Sequence, residues 1–351
     1  MEEMIDFNRK KKNNDDLLEK EYENFDQNLD IKPGKRLRVK EKYSKKSDLI
    51  LKRGRVLESY SKYYFLVQLE NEEITCPLSG RLKNIDFDKS SIVVVGDYVR
   101  VDVSQHPRIE EIEDRKNALR RYVERGKRQI EVVIAANVDQ VIMTTSCSEP
   151  PLNFNLVDRY LAAAYLSSVT PIICLNKIDL VEDPASIREL GYYYEANGFT
   201  LLLTSTLTGE GINEVKKLLH KRDTLFSGPS GTGKSSLINK LDPSLKLKTG
   251  VVSKATMKGK HTTSSSRLIP WSFGGYLIDT PGIKTFGLNR NDRNLIPRAF
   301  PGFEKWALEC KFSNCHHKTE EGCRVLQALA DGELPEERYR SYLNLLTSLE
   351  N

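Results

Sequence analysis

Gly228 Pro229 Ser230 Gly231 Thr232 Gly233 Lys234 Ser235 fits the pattern G-x-x-x-x-G-K-[ST]. The apolar run Thr224 Leu225 Phe226 precedes it and Ser236 Leu237 Ile238 Asn239 Lys240 Leu241 follows, which is the strand, loop and helix context a phosphate loop requires. In that context backbone N–H groups wrap a β-phosphate at a helix N-terminus, where the dipole favours negative charge. Lys234 would reach the β- and γ-phosphates and Ser235 would offer its hydroxyl to Mg²⁺, so Gly228 to Ser236 are assigned to the nucleotide. A Gly-rich turn matching by chance is the competing explanation, and the surrounding motifs argue against it.

Working outward, the sequence alternates strands with helices. Val141 Ile142 Met143 reads as a strand; Leu156, Val157, Tyr160, Leu161, Ala164 and Tyr165 line one helical face; Pro171 to Leu175 reads as a buried strand. A helix near Ala185 to Ala196, a strand at Leu201 to Leu203 and a helix near Ile212 to Leu219 lead back to the phosphate loop. This alternation predicts a parallel α/β sheet covered on both faces.

Asn176 Lys177 Ile178 Asp179 stands directly after the strand ending at Leu175, the crevice position where open α/β sheets bind ligands. An N-K-x-D turn is a guanine reader, because the Asp179 carboxylate can accept from both N1–H and the exocyclic amine. Adenine offers no such donor pair, so GTP is expected to be preferred to ATP by several orders of magnitude. Lys177 would lie along the base, and the backbone at Thr204 and Ser205 would touch guanine O6. Asp279 Thr280 Pro281 Gly282 closes the strand Tyr276 Leu277 Ile278; Asp279 would reach Mg²⁺ through water and the Gly282 amide would sense the γ-phosphate. Between them, Gly259 Lys260 His261 Thr262 Thr263 Ser264 offers a threonine, Thr262 or Thr263, to complete the Mg²⁺ shell. The base reader precedes the phosphate loop here, the reverse of the usual order, so the domain reads as circularly permuted.

The chain has 351 residues, 39% hydrophobic and 29% charged, with a net charge of +5. Its pI is near 8.7 and its mean hydropathy −0.49. That length suits two or three domains. No apolar run is long enough to span a bilayer, which argues against a membrane protein. Met1 to Asp6 has the character of neither a signal nor a transit peptide, so a cytoplasmic protein is expected. Residues 1–47 carry blocks of charge without periodicity and read as a disordered extension. From Leu49 to Arg115 short strands are expected at Gly54 to Leu57, Tyr64 to Leu69, Glu73 to Cys76, Ile92 to Val95 and Tyr98 to Val103. They suit a small β-barrel of the OB type, and Arg53, Arg55, Lys62, Arg81 and Lys83 among Tyr60, Tyr63 and Tyr64 suit RNA. Arg115 to Arg128 reads as a basic connector.

Six cysteines are present. Cys76, Cys147 and Cys174 are scattered among apolar residues and read as small buried hydrophobes. Cys310, Cys315, His317 and Cys323 have the spacing C-x4-C-x-H-x5-C, a Cys₃His set for a closed, structural zinc site. His316 competes for the fourth place.

Together the permuted order, Gly228 to Leu237, Gly259 to Thr263 and the cysteine spacing resemble the ribosome small-subunit-dependent GTPase A family of bacteria, over about residues 48 to 349. The resemblance implies a multi-domain protein: the extension at 1–47, an OB-fold RNA-binding domain at 48–115, a permuted GTPase domain at 116–288 and a helical zinc-binding domain at 289–351. It also implies GTP as substrate, Mg²⁺, one structural zinc with His317 as ligand, and a monomer that binds the small ribosomal subunit and its rRNA and assists late maturation. Lys260 and Ser264 depart from the arginine and threonine usual in the family. Ile283 follows Gly282 where many GTPases place a water-orienting glutamine, which predicts slow intrinsic hydrolysis and makes His261 the candidate to orient water. A loop contact to rRNA or backbone is the other role open to His261. The alternative function is a GTP-gated rRNA-binding module whose hydrolysis is incidental.

Overall fold

The computed structural model describes residues 49–83, 92–125, 128–183, 191–192, 194–247, 266–279 and 288–350. The extension at 1–47, part of the helix expected at 185–196, and His261, Thr262, Thr263 and Gly282 lie outside them.

The first strands are β1 (Leu51–Ser61), β2 (Tyr64–Gln68), β3 (Glu73–Pro77), β4 (Tyr98–Asp102) and β5 (Arg108–Ile112), with a single helical turn, α1 (Gly80–Lys83), after β3. β1 pairs antiparallel with β2 and β4, β2 with β3, and β4 with β5. A parallel bridge between Leu78 and Ile109 joins the end of β3 to β5, so the strands close into a small barrel. Alternate residues fill it, among them Val56, Phe65, Val67, Val99, Val101 and Ile109. Ile92 to Val95 is not the expected strand. Asp97, fully buried, accepts from the Val94 amide at 2.8 Å and is clamped by Arg115 at 2.7 and 2.8 Å, which folds the apolar run into a turn. The expected basic connector is also a correction: it forms a hairpin, β6 (Ala118–Arg125) with β7 (Arg128–Ala136), antiparallel throughout.

The α/β layer follows: β8 (Gln140–Ser146), α2 (Phe154–Leu166), β9 (Thr170–Asn176), β10 (Thr200–Thr204), α3 (Ile212–Leu219), β11 (Arg222–Ser227), α4 (Lys234–Leu241), β12 (Arg267–Pro270) and β13 (Gly275–Asp279). Their order in the sheet is β10-β9-β8-β11-β13-β12. All neighbours are parallel except the β12–β13 pair, which is antiparallel. The sheet is covered on both faces because its apolar residues sort by parity. Ile142, Ile172, Cys174, Phe226 and Leu277 meet α3 and α4, whereas Val141, Met143, Ile173, Leu225 and Ile278 face the core built on α2. Asn153 starts α2 by accepting from the Leu156 amide at 3.2 Å.

Four C-terminal helices, α5 (Ile296–Ala299), α6 (Glu304–Ala307), α7 (Arg324–Ala330) and α8 (Glu336–Ser348), complete the described chain. Phe300, Phe303, Tyr342, Leu345 and Leu346 join the same core as Val157, Leu161 and Ala164 of α2, so the helical region packs on one face of the sheet. Among the described residues no helix is long and apolar enough to cross a membrane.

Candidate nucleotide site and metal centre

From β8 the chain proceeds outward through β9 to β10, and then returns to lay β11 on the other side of β8. The order of strands therefore reverses between β8 and β11, and loops leaving the carboxyl ends of these two strands diverge to leave a crevice. The phosphate loop leaves β11 there. Gly228, Gly231 and Gly233 have φ of 132°, 84° and 88°, the left-handed region that side chains resist. At Gly228 a Cβ would come within 2.0 Å of the Thr144 carbonyl of β8, so the loop passes against the neighbouring strand at a distance only glycine permits. Thr232 is fully buried, and its hydroxyl donates to the Pro229 carbonyl at 3.0 Å, tightening the loop.

Lys234 opens α4, and its Nζ donates to the Gly228 and Pro229 carbonyls at 2.7 and 2.5 Å. Burial pulls its pKa below the usual lysine value. A phosphate anion at the loop would favour the charged form again.

The base-reading turn is tied to this loop directly. Asn176, fully buried at the end of β9, donates through Nδ2 to the Thr232 carbonyl at 2.9 Å and accepts at Oδ1 from the Thr204 hydroxyl at 3.1 Å. One amide thereby links the ends of β9 and β10 to the phosphate loop. Lys177 has φ of 65°, and its Nζ donates to the Glu149 carbonyl at 2.6 Å in the loop after β8. Ile178 and Asp179 turn away in a short 3-10 helix, Ile178–Leu180, which leaves Asp179 exposed. The Ser205 hydroxyl donates to Asp179 Oδ1, while accepting from the Thr208 amide at 3.1 Å. An ionised carboxylate has about four acceptor sites, so Asp179 retains capacity for a donor pair such as the guanine edge.

Asp279 ends β13, parallel to β11, and so lies on the same edge of the sheet as the phosphate loop. Its carboxylate and the Ser235 hydroxyl at the start of α4 are hard oxygen donors of the kind Mg²⁺ takes, so the donor chemistry fits that ion. In this structure Asp279 Oδ2 accepts from Arg267 Nε at 3.3 Å. Sequence reading missed Arg267, as it missed the loop after β8 that meets Lys177, because neither lies in a local motif and only strand pairing brings them in.

In the C-terminal region Cys310, Cys315, His317 and Cys323 converge, with all ligand atoms within 4.8 Å of one another. His317 Nδ1 lies 3.3 Å from Cys323 Sγ and 3.6 Å from Cys310 Sγ, and the two sulfurs are 3.9 Å apart. Zinc bonds of about 2.3 Å to sulfur and about 2.1 Å to nitrogen give tetrahedral edges of about 3.5 to 3.8 Å, so the set fits that ion. His317 Nε2 lies 3.0 Å from the Pro297 carbonyl; donating there leaves Nδ1 with its lone pair toward the thiols. It is His317, buried to 1% exposure, and not His316 that enters the cluster. Burial pushes the Cys315 thiol up to about 12, so a cation is what would make a thiolate there.

A phosphate loop at the switch point of an α/β sheet, with the base-reading turn earlier in the chain, defines a circularly permuted P-loop nucleotide-binding protein. The chain belongs to the RsgA GTPase family, whose model matches residues 112–289. Small ribosomal subunit biogenesis GTPase RsgA of Flavobacterium psychrophilum is 35% identical over 300 residues, 84% of this chain and 92% of that protein. The protein of the same name from Chlorobaculum tepidum is 42% identical over 269 residues, 74% of this chain and 86% of its own. Among solved structures, YjeQ from Thermotoga maritima superposes with a TM-score of 0.67 at 31% identity, covering 86% of this chain and 99% of that one. YloQ, a circularly permuted GTPase, gives 0.64 at 26% identity, with 88% and 98% covered.

Proposed function

We propose that this chain is a GTP hydrolase that binds the small ribosomal subunit and assists its late maturation, with hydrolysis stimulated by the subunit and coupled to release. The observation that carries the reading is the gathering of Asn176 to Asp179, Ser205, Gly228 to Ser236 and Asp279 on one edge of one sheet, in a chain of this family. Its relatives carry the name of small-subunit biogenesis GTPases.

Asp179 selects guanine, and the phosphate loop with Lys234 holds the β- and γ-phosphates. Ser235, with Thr262 or Thr263, and Asp279 through water are the residues to hold Mg²⁺, which supplies neutralisation of the developing phosphate charge. Gly282 senses the γ-phosphate, and His261 orients water once the subunit orders its loop. The barrel, read as an OB domain at 48–115, and the zinc module at 289–351 grip rRNA on either side of the GTPase domain at 116–288. The extension at 1–47 adds a basic arm. A cytoplasmic monomer is the expected form.

The test is GTP turnover by wild-type protein and His261→Ala, with and without purified small subunits. Wild type is expected to accelerate at least about tenfold with subunits and the variant to lose that gain. Wild-type turnover indifferent to subunits would instead make the chain a GTP-gated binding module with incidental hydrolysis, and unchanged stimulation in the variant would remove His261 from the chemistry.

A further inference from the structure

Three charged residues stand side by side across three strands next to the nucleotide site. Glu58 of β1, a barrel strand, is in register with Arg267 of β12, and Arg267 is in register with Asp279 of β13. Both pairings are antiparallel, and residues directly opposed in such pairs project to the same face of the sheet. The Arg267 guanidinium is thus flanked by a carboxylate from the barrel and one from the strand that enters the Asp279 to Gly282 motif. In this structure it is bound to Asp279, Nε to Oδ2 at 3.3 Å, with 49% and 41% of the two side chains exposed.

That pairing conflicts with the role assigned to Asp279. A carboxylate turned to the hydration shell of a divalent cation cannot keep a guanidinium on the same oxygen without bringing two positive charges together. Arg267 must give way, and the only carboxylate in register with it on its other side is Glu58. We propose that Arg267 is a counter-ion that competes with Mg²⁺ for Asp279, and that Glu58 receives Arg267 when Asp279 turns to the metal. The proposal rests on the GTP and Mg²⁺ reading given above and names two positioning residues for it, one of them in the barrel.

A consequence follows for the barrel. The β1–β12 junction is narrow: Glu58 to Arg267 in register and a 3.3 Å bond from the Ser59 amide to the Ser266 carbonyl. An Arg267 that bonds Glu58 in the Mg²⁺-loaded state fastens this junction, and one that bonds Asp279 does not. By linkage, whatever fixes β1 against β12 favours the loaded state by the same factor. The barrel would then sense the nucleotide through one side chain, without a movement of the sheet.

The experiment is a Mg²⁺ titration of the binding of a fluorescent, non-hydrolysable GTP analogue by the full chain, in wild type, Arg267→Gln, Glu58→Gln and the double variant. Arg267→Gln is expected to lower the Mg²⁺ concentration at half-effect by about three- to fivefold, the scale of a half-exposed ion pair. Glu58→Gln should raise it by a similar factor, and the double variant should match Arg267→Gln alone, since Glu58 acts only through Arg267. A Mg²⁺ curve unmoved or weakened by Arg267→Gln, or a Glu58→Gln effect that persists without Arg267, overturns the proposal. Wild-type protein that binds the analogue without regard to Mg²⁺ overturns the metal reading itself, an outcome separate from equal curves among the variants. Thermal melting of each variant checks that these surface changes leave the fold intact.

Discussion

Gly233 carries more constraint than a loop glycine ordinarily does. Its φ is 88°, and a Cβ there would sit 2.3 Å from Asn176 Nδ2, the atom that donates to the Thr232 carbonyl. Gly233→Ala would strain the backbone and push Asn176 off its two partners, leaving buried amide and hydroxyl groups unpaired. The variant should lose about 2 to 4 kcal/mol in urea unfolding and bind GTP at least about tenfold more weakly, because base turn and phosphate loop share that amide. A variant with wild-type midpoint and affinity would show that Asn176 can move aside freely. The glycine spacing itself was legible as a pattern. Its partner was not, since Asn176 and Gly233 are far apart in sequence and meet only because β9 and β11 flank β8.

At the scale of elements, α2 joins the nucleotide sheet to the C-terminal helices. Asp158 of α2 and Arg338 of α8 form an ion pair with 0% and 5% of the residues exposed. Asp158 also accepts from the Tyr194 hydroxyl at 3.0 Å, and the Arg338 guanidinium lies 4.9 Å from the Phe300 ring centre. Burial alone would drive the guanidinium pKa down, and the buried carboxylate is what keeps the charge in place. Removing one partner strands the other charge, so Arg338→Ala should cost about 3 to 5 kcal/mol, and Asp158→Asn combined with Arg338→Met less than Arg338→Ala alone. Urea unfolding of the two variants decides it; equal losses would mean the helices dock by apolar contact only. Elements with uniform apolar runs, such as β9, were legible from sequence. The β6–β7 hairpin was not, because its strands carry pairs such as Arg120 with Glu131, 3.1 Å apart, which read locally as a solvated charged linker. Ile92 to Val95 misled in the opposite way: burial produced the apolar run, and the Asp97–Arg115 clamp bent it into a turn.

For the molecule as a whole, the permuted order was legible because each motif is short and sits at a strand end, whereas the joining of barrel, sheet and zinc cluster depends on contacts no motif encodes. Arg55 of β1 is one: it pairs with Asp223 of β11, both nearly buried, and lies 5.3 and 5.2 Å from the Tyr98 and Tyr276 ring centres. The cluster is another. Cys315 and Cys323 belong to the same core as Tyr342, Phe300 and Phe303 and as Val157 and Leu161 of α2, and the Tyr339 and Tyr342 hydroxyls donate to the carbonyls of His317 and His316 at 2.7 and 2.6 Å. Zinc bound at these four residues would therefore brace the α2 face of the nucleotide sheet as well as its own loop. Removing it with a strong chelator should lower the main thermal transition by about 10 °C or more, as one cooperative step, and Cys310→Ser should reproduce the shift without chelator. Two separated transitions, with the upper one unmoved, would mean that the zinc module melts alone and that the core shared with α2 transmits nothing. The single step is the expected result, because the aromatic rings that surround His317 are the same rings that hold α8 against α2.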